Sequence, residues 1–168
     1  MPHINDRNQI LFFLLCFLTV FYVIFSSIYG LDNIDSGFIL SFIGRIDAGQ
    51  TLYKDFDLVR PFGNVIFWDL LLKVISKDSH YLLLISRFIF VLESLLISFF
   101  LMKIANVTQY YKIYTLLIFF LFIHYFKLMP WHTVDGIFFG VIAIYFCQRK
   151  YFLSSIILSL IAASSKQS

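Results

Sequence analysis

The sequence predicts an all-α membrane protein, and its composition and its long apolar runs carry that prediction. Of its 168 residues, 60% are hydrophobic, 20% are aromatic and only 14% are charged. A soluble domain of this length leaves much of its surface exposed to water and could not bury so much apolar area. The apolar residues also gather in runs that approach the ~20 residues needed to cross a bilayer.

We expect about five transmembrane helices, over 10–28, 81–102, 110–126, 133–147 and 152–163. The Lys and Arg residues of the short connections place the N-terminus in the cytoplasm of a multi-pass inner or plasma membrane protein. Residues 30–61 then form the first extracytoplasmic loop. Because the chain is still apolar at Ala163, we expect residues 1–168 to be the truncated N-terminal part of a larger transmembrane domain.

One apolar segment, 62–75, is too short to cross the membrane and carries Asp69 and Lys73. It predicts a re-entrant or interfacial helix. The two charges are four residues apart with the acid first, which favours a structural pair on one helix face. Arg87 and Glu93 lie inside the 81–102 run. Charges at that depth are functional candidates by default, although Arg87 lies near the outer end, where its side chain could reach the interface.

The first outer loop is acidic and amphipathic. It holds half of the ten acidic residues of the chain, namely Asp32, Asp35, Asp47, Asp55 and Asp57. Apolar residues recur at helical spacing and predict an interfacial helix over 35–48 that lies on the outer membrane surface, with its stripe formed by Ile34, Phe38, Ile39, Phe42, Ile43 and Ile46. Gly49 then ends the helix, and 50–59 is extended or irregular.

Four charged residues of this outer face are candidates for a site. Asp35 is either the N-cap of the helix or a general base whose pKa is raised by partial burial. Arg60 binds either the phosphates of ordinary lipids or the phosphate of a specific lipid-linked substrate. In the predicted topology Asp135 and Lys166 fall at the same membrane face. The four are either unrelated solvated charges or the lining of a polar cavity that opens outward.

Several segments together resemble the GT-C membrane glycosyltransferases, most closely the bacterial branch related to protein O-mannosyltransferases and lipid A aminoarabinose transferases. The first outer loop carries the resemblance through Asp35-Ser-Gly37, Arg45-Ile-Asp-Ala-Gly49, Tyr53-Lys-Asp55-Phe and Arg60-Pro61. Val134-Asp135-Gly136 and Ser165-Lys166-Gln167 match two later segments of the family. The sequence departs from the family where Ser36 replaces a frequent Glu and where Arg60 precedes a single Pro.

The resemblance implies inverting transfer of a hexose or pentose from a polyprenyl-phosphate donor to a lipid, glycan or protein acceptor on the outer face. It implies that Asp35 is catalytic and that Arg60, Lys166, Asp135 and Asp55 bind substrate. No cofactor, metal or nucleic acid is expected. The alternatives are a non-catalytic membrane subunit that translocates lipid-linked sugar or assembles envelope polysaccharide, and a fragment without activity of its own.

Overall fold

The computed structural model describes residues 6–28, 38–58, 62–75, 79–126 and 128–165, and these segments form an all-helical bundle. The predicted all-α class is therefore confirmed. Seven helices occur in these segments: α1 (Asp6–Ile28), α2 (Phe38–Asp47), α3 (Gly63–Ile75), α4 (Ser79–Ile104), α5 (Tyr111–Tyr125), α6 (His132–Gln148) and α7 (Phe152–Ser165).

Two of the described helices, rather than the expected five, are long and apolar enough to cross a membrane. They are α1, through Asn8–Ile28, and α4, through Tyr81–Ile104. This test rests on length and composition alone, and a signal sequence or a core helix of a soluble protein also passes it. Helices α5, α6 and α7 have 15, 17 and 14 residues. At 1.5 Å per residue they reach roughly 21–26 Å, which is less than the ~30 Å hydrocarbon core.

The expected number of spans was too high because apolar runs of 12 to 17 residues were counted as spans, and backbone turns bound the helices there. Tyr110, included in the third predicted span, adopts a left-handed conformation before α5 with φ 53°. Lys150, between the fourth and fifth predicted spans, is also left-handed with φ 65°, and the chain reverses there from α6 into α7. Hydropathy alone does not reveal these backbone turns.

The bundle is built around α4, which packs against α5 and α6, while α7 packs along α6 and α1 packs against α5. An apolar cluster joins α4, α5 and α6, and it includes Phe90, Ile97, Phe119, Ile123, Val134 and Val141. The Ser155 hydroxyl donates a 2.9 Å hydrogen bond to the carbonyl oxygen of Ala143 and links α7 to α6. Helices α2 and α3 pack against each other, and α3 also contacts α6 and α7.

Helix α2 ends where the sequence predicted. Gly49 has a φ of +85°, the left-handed conformation that ends many helices, and its N–H donates to the carbonyl oxygen of Ile46. The chain then runs irregularly through 50–58, apart from an isolated bridge between Leu52 and Phe56. The predicted end of the helix and the irregular segment are both confirmed.

The apolar stripe of α2 requires a correction, because its described residues pack against protein. Ile39 and Ile43 are each 4% exposed and lie in one cluster with Trp68 of α3 and Ile89 of α4. The prediction that this stripe faces the membrane is therefore wrong for these residues. Helix α2 instead uses it to dock on α3 and on the N-terminal half of α4.

The buried Arg87 side chain holds the end of α1. It is 7% exposed, and its Nη1 donates a hydrogen bond to the carbonyl oxygen of Ser27. The last carbonyl groups of a helix have no partner within that helix and favour a cation. Arg87 therefore binds the C-terminal end of α1 from the neighbouring helix, and does not reach outward to an interface.

Candidate functional site

A buried polar cluster lies where α3, α4 and α6 meet, and we call it the polar junction. It consists of Asn64 and Trp68 from α3, Glu93 from α4 and Asp135 from α6. Their exposed fractions are 3%, 0%, 4% and 0%. Buried polar groups require partners, and buried carboxyl groups are especially costly without them, so this cluster is the most chemically distinctive place in the described chain.

Asp135 links α6 to α3. The side-chain amide of Asn64 and the indole N–H of Trp68 both donate hydrogen bonds to its Oδ2, the latter at 3.1 Å. Asn64 and Trp68 are four residues apart and so share one face of α3. Asp135 lies in the first turn of α6, where the unpaired N–H groups of a helix favour an acidic side chain.

The Glu93 carboxyl faces the carboxyl of Asp135 across the polar junction, close enough for a hydrogen bond between them. Among the described side chains and backbone, no N–H or hydroxyl donor reaches either oxygen of Glu93 or the Oδ1 of Asp135. Two buried carboxyl groups in contact can share one proton, whereas two ionised ones would repel each other. The arrangement is therefore able to hold and release a proton.

A close backbone approach fixes the N-terminal end of α3 against α7. A Cβ atom placed on Gly63 would lie 2.7 Å from the carbonyl carbon and from the carbonyl oxygen of Ser164. Real Cβ atoms essentially never come so close, so only glycine allows this packing. Gly63 and Ser164 thus bring the start of α3 to the end of α7.

The irregular segment after α2 is folded by Asp55. Its Oδ2 accepts a 2.6 Å hydrogen bond from the Thr51 N–H, and the Tyr53 N–H donates to the carbonyl oxygen of Phe56. Phe56 is buried and packs beneath the Arg45 guanidinium, which lies 4.6 Å from the ring centroid. The Asp55 side chain is exposed, so one oxygen organises the turn while the carboxylate stays open to solvent.

The structure describes two of the five residues nominated from the sequence. Asp135 lies in the polar junction and is fully buried, and Asp55 lies in the exposed turn. Asp35, Arg60 and Lys166 lie outside the described residues. In the part of the chain that is described, no group of three or more His, Cys, Asp or Glu side chains could hold a metal ion.

Sequence reasoning missed Asn64 and Trp68, the partners of Asp135. An Asn and a Trp at the same helix face in an apolar segment are a polar signal that would have pointed to a buried partner, because both side chains carry N–H donors. The sequence does identify Glu93 as a functional candidate, but only together with Arg87 of the same helix. The Asp69–Lys73 pair was predicted correctly, with a 2.6 Å distance from Nζ to Oδ2.

Comparison with known proteins adds no relative: no family model, no curated protein and no solved structure matches this chain.

Proposed function

We propose that this chain carries the first extracytoplasmic loop of a membrane glycosyltransferase, which moves a sugar from a polyprenyl-phosphate donor to an acceptor on the outer face. The observation that carries the proposal is the contact of α3 with both α6 and α7. Asn64 and Trp68 bond Asp135, and Gly63 packs on Ser164. Asp135 lies within one segment that resembles the family, and Ser164 directly precedes another in the sequence.

A membrane location is supported by the surface of α1. Only 6% of an 18-residue apolar stretch of this helix is buried. The helix exposes a row of large side chains: Ile10, Phe13, Phe17, Phe21 and Ile24. Soluble monomers rarely expose apolar patches of such extent. A bilayer would cover this surface without any further protein contact. The three shorter helices would then require a locally thinned bilayer, at a modest cost per ångström of mismatch.

In the proposed reaction, the Asp35 carboxylate takes the proton from an acceptor hydroxyl. The acceptor oxygen bonds to the anomeric carbon as the bond from that carbon to the lipid phosphate oxygen breaks, and the electron pair leaves with the phosphate. Arg60 and Lys166 stabilise the phosphate charge that develops. The exposed Asp55 binds sugar hydroxyl groups, and the buried Asp135 holds α3 in place.

The test is transfer by the full-length protein in membranes supplied with a radiolabelled polyprenyl-phosphate sugar. Asp35→Asn should abolish the release of free polyprenyl phosphate and the labelling of acceptor, with membrane insertion unchanged. The matched control is Asp57→Asn, which removes an exposed carboxylate of the same loop and should leave transfer intact. Normal transfer by Asp35→Asn would overturn the assignment. Movement of the lipid-linked sugar across the membrane without its consumption would favour the non-catalytic translocation subunit.

A further inference from the structure

The polar junction contains a carboxyl pair that the proposed transfer does not use as an acid or a base. Glu93 and Asp135 face each other from α4 and α6. Both are at least 96% buried. Across the described ranges, three of their four oxygens have no hydrogen-bond donor, since Asn64 and Trp68 both bond the Asp135 Oδ2.

We propose that Glu93 and Asp135 form a proton-binding site, in which one proton is held between their facing oxygens while α3 is docked. Two ionised carboxylates in contact repel strongly when little water screens them. A single proton turns that repulsion into an O–H···O⁻ hydrogen bond, one of the stronger kinds of hydrogen bond. The proton also supplies a donor for two of the three oxygens that otherwise lack one.

The chemistry of the polar junction favours a proton over a metal cation. Hard cations such as Ca²⁺ and Mg²⁺ take six or more oxygen ligands, and the pair offers three oxygens without a donor. Asn64 and Trp68 direct N–H groups at the pair. Such donors stabilise negative charge and would repel a cation that replaced the proton.

Several charged or titratable groups on these helices have partners outside the pair. On α3, Asp69 pairs with Lys73, and on α4, Arg87 bonds the Ser27 carbonyl at the end of α1. On α6, the His132 ring stacks on Trp131. On α5, His124 is exposed and stacks with Phe120. Helix α7 carries no charged residue. The ionisable group that acts on Glu93 is Asp135, and the one that acts on Asp135 is Glu93.

The number of protons bound by the folded and unfolded chain determines how the stability of the fold changes with pH. The folded pair holds a proton at pH values where the same carboxyl groups of an unfolded chain, with pKa values near ~4, have lost theirs. Folding therefore takes up a proton, and stability falls as the pH rises from ~4 to the value at which the pair ionises. Across that window the unfolding equilibrium constant should rise by up to about tenfold per pH unit.

The experiment uses the full chain in detergent micelles, with infrared spectroscopy and unfolding measured from pH 4 to 9. We expect a C=O stretch of a protonated carboxyl at neutral pH, which is absent in Glu93→Gln and present in the control Asp57→Asn. Because a glutamine amide can donate to the Asp135 Oδ1, Glu93→Gln should stay folded and lose the pH slope. Should that variant not fold, Asp135→Asn gives the same test, since its amide can donate to Glu93.

Two results would overturn the proposal. One is a protonated-carboxyl band that is missing from the wild-type chain at neutral pH, or equal in the wild type and both amide variants. The other is stabilisation of the wild type by Na⁺ or Ca²⁺ that Glu93→Gln abolishes, because the pair would then bind a cation. The inference stands apart from the proposed transfer, since neither result bears on Asp35 or on the consumption of donor.

Discussion

Removing the indole N–H of Trp68 should weaken the attachment of α3 to α6. Trp68 is fully buried, and its N–H donates at 3.1 Å to the Oδ2 of Asp135, across 67 residues of sequence. Trp68→Phe keeps an aromatic ring but deletes this donor. A hydrogen bond to a charged group contributes about 1.5–3 kcal/mol, and the smaller ring leaves a void that adds about 1 kcal/mol.

We therefore expect Trp68→Phe to lower the free energy of unfolding by about 2.5–4 kcal/mol, a roughly 60- to 700-fold change in the unfolding equilibrium. The matched control is Trp131→Phe, the only other tryptophan substitution that the chain offers. Trp131 is partly exposed, and its N–H donates at 3.2 Å to the neutral Thr133 hydroxyl, so its loss should cost about 1 kcal/mol.

The assay is unfolding by SDS in mixed micelles, followed by far-ultraviolet circular dichroism so that the loss of a tryptophan does not disturb the signal. Repeating Trp68→Phe in an Asp135→Ala background separates the hydrogen bond from the void, since only the void remains to be lost there. If Trp68→Phe costs no more than Trp131→Phe, or costs the same in both backgrounds, the bond does not hold α3 to α6.

Two further predictions concern packing and charge on α3. Gly63→Ala should destabilise the protein by about 1–3 kcal/mol because its Cβ would meet the Ser164 carbonyl. The control Gly140→Ala, with nothing within 4 Å of its Cβ, should be neutral or stabilising by up to about 1 kcal/mol. Equal effects of the two substitutions in thermal unfolding would contradict the close approach. The hydrogen bond to Asp69 raises the pKa of Lys73, so their pair stabilises the fold below the ordinary lysine pKa and is lost as the pH rises through the raised value; Lys73→Met should remove this alkaline loss, and a wild-type stability profile that is flat above pH ~10 would argue against it.

Local features of the fold could be predicted from the sequence because each depends on near neighbours. The stop at Gly49 follows from the conformational freedom of glycine, and the Asp69–Lys73 pair follows from helical spacing. The apolar stripe of α2 could be located but its partner could not, because an apolar face fits lipid and protein equally well. Only the positions of Trp68 and Ile89 decide between them.

The polar junction could not be predicted because its members come from three helices. The two hydrogen bonds to Asp135 join residues that are 67 and 71 positions apart in the sequence. Periodicity predicts which residues share a face, not which faces meet. Asp135 was nominated as the lining of an open cavity, and the structure buries it against α3. That Asp135 binds substrate stays a prediction.

The contact between Gly63 and Ser164 also determines how late during translation α3 can pack against α7. About 100 residues separate the two positions. At ~5–20 residues per second, a ribosome completes the start of α3 some 5–20 s before it adds the serine against which that glycine packs. Asp135, the acceptor for Asn64 and Trp68, emerges earlier in that interval. Helix α3 is therefore synthesised well before its partners. Its docking site is complete only when the last turn of α7 has been synthesised.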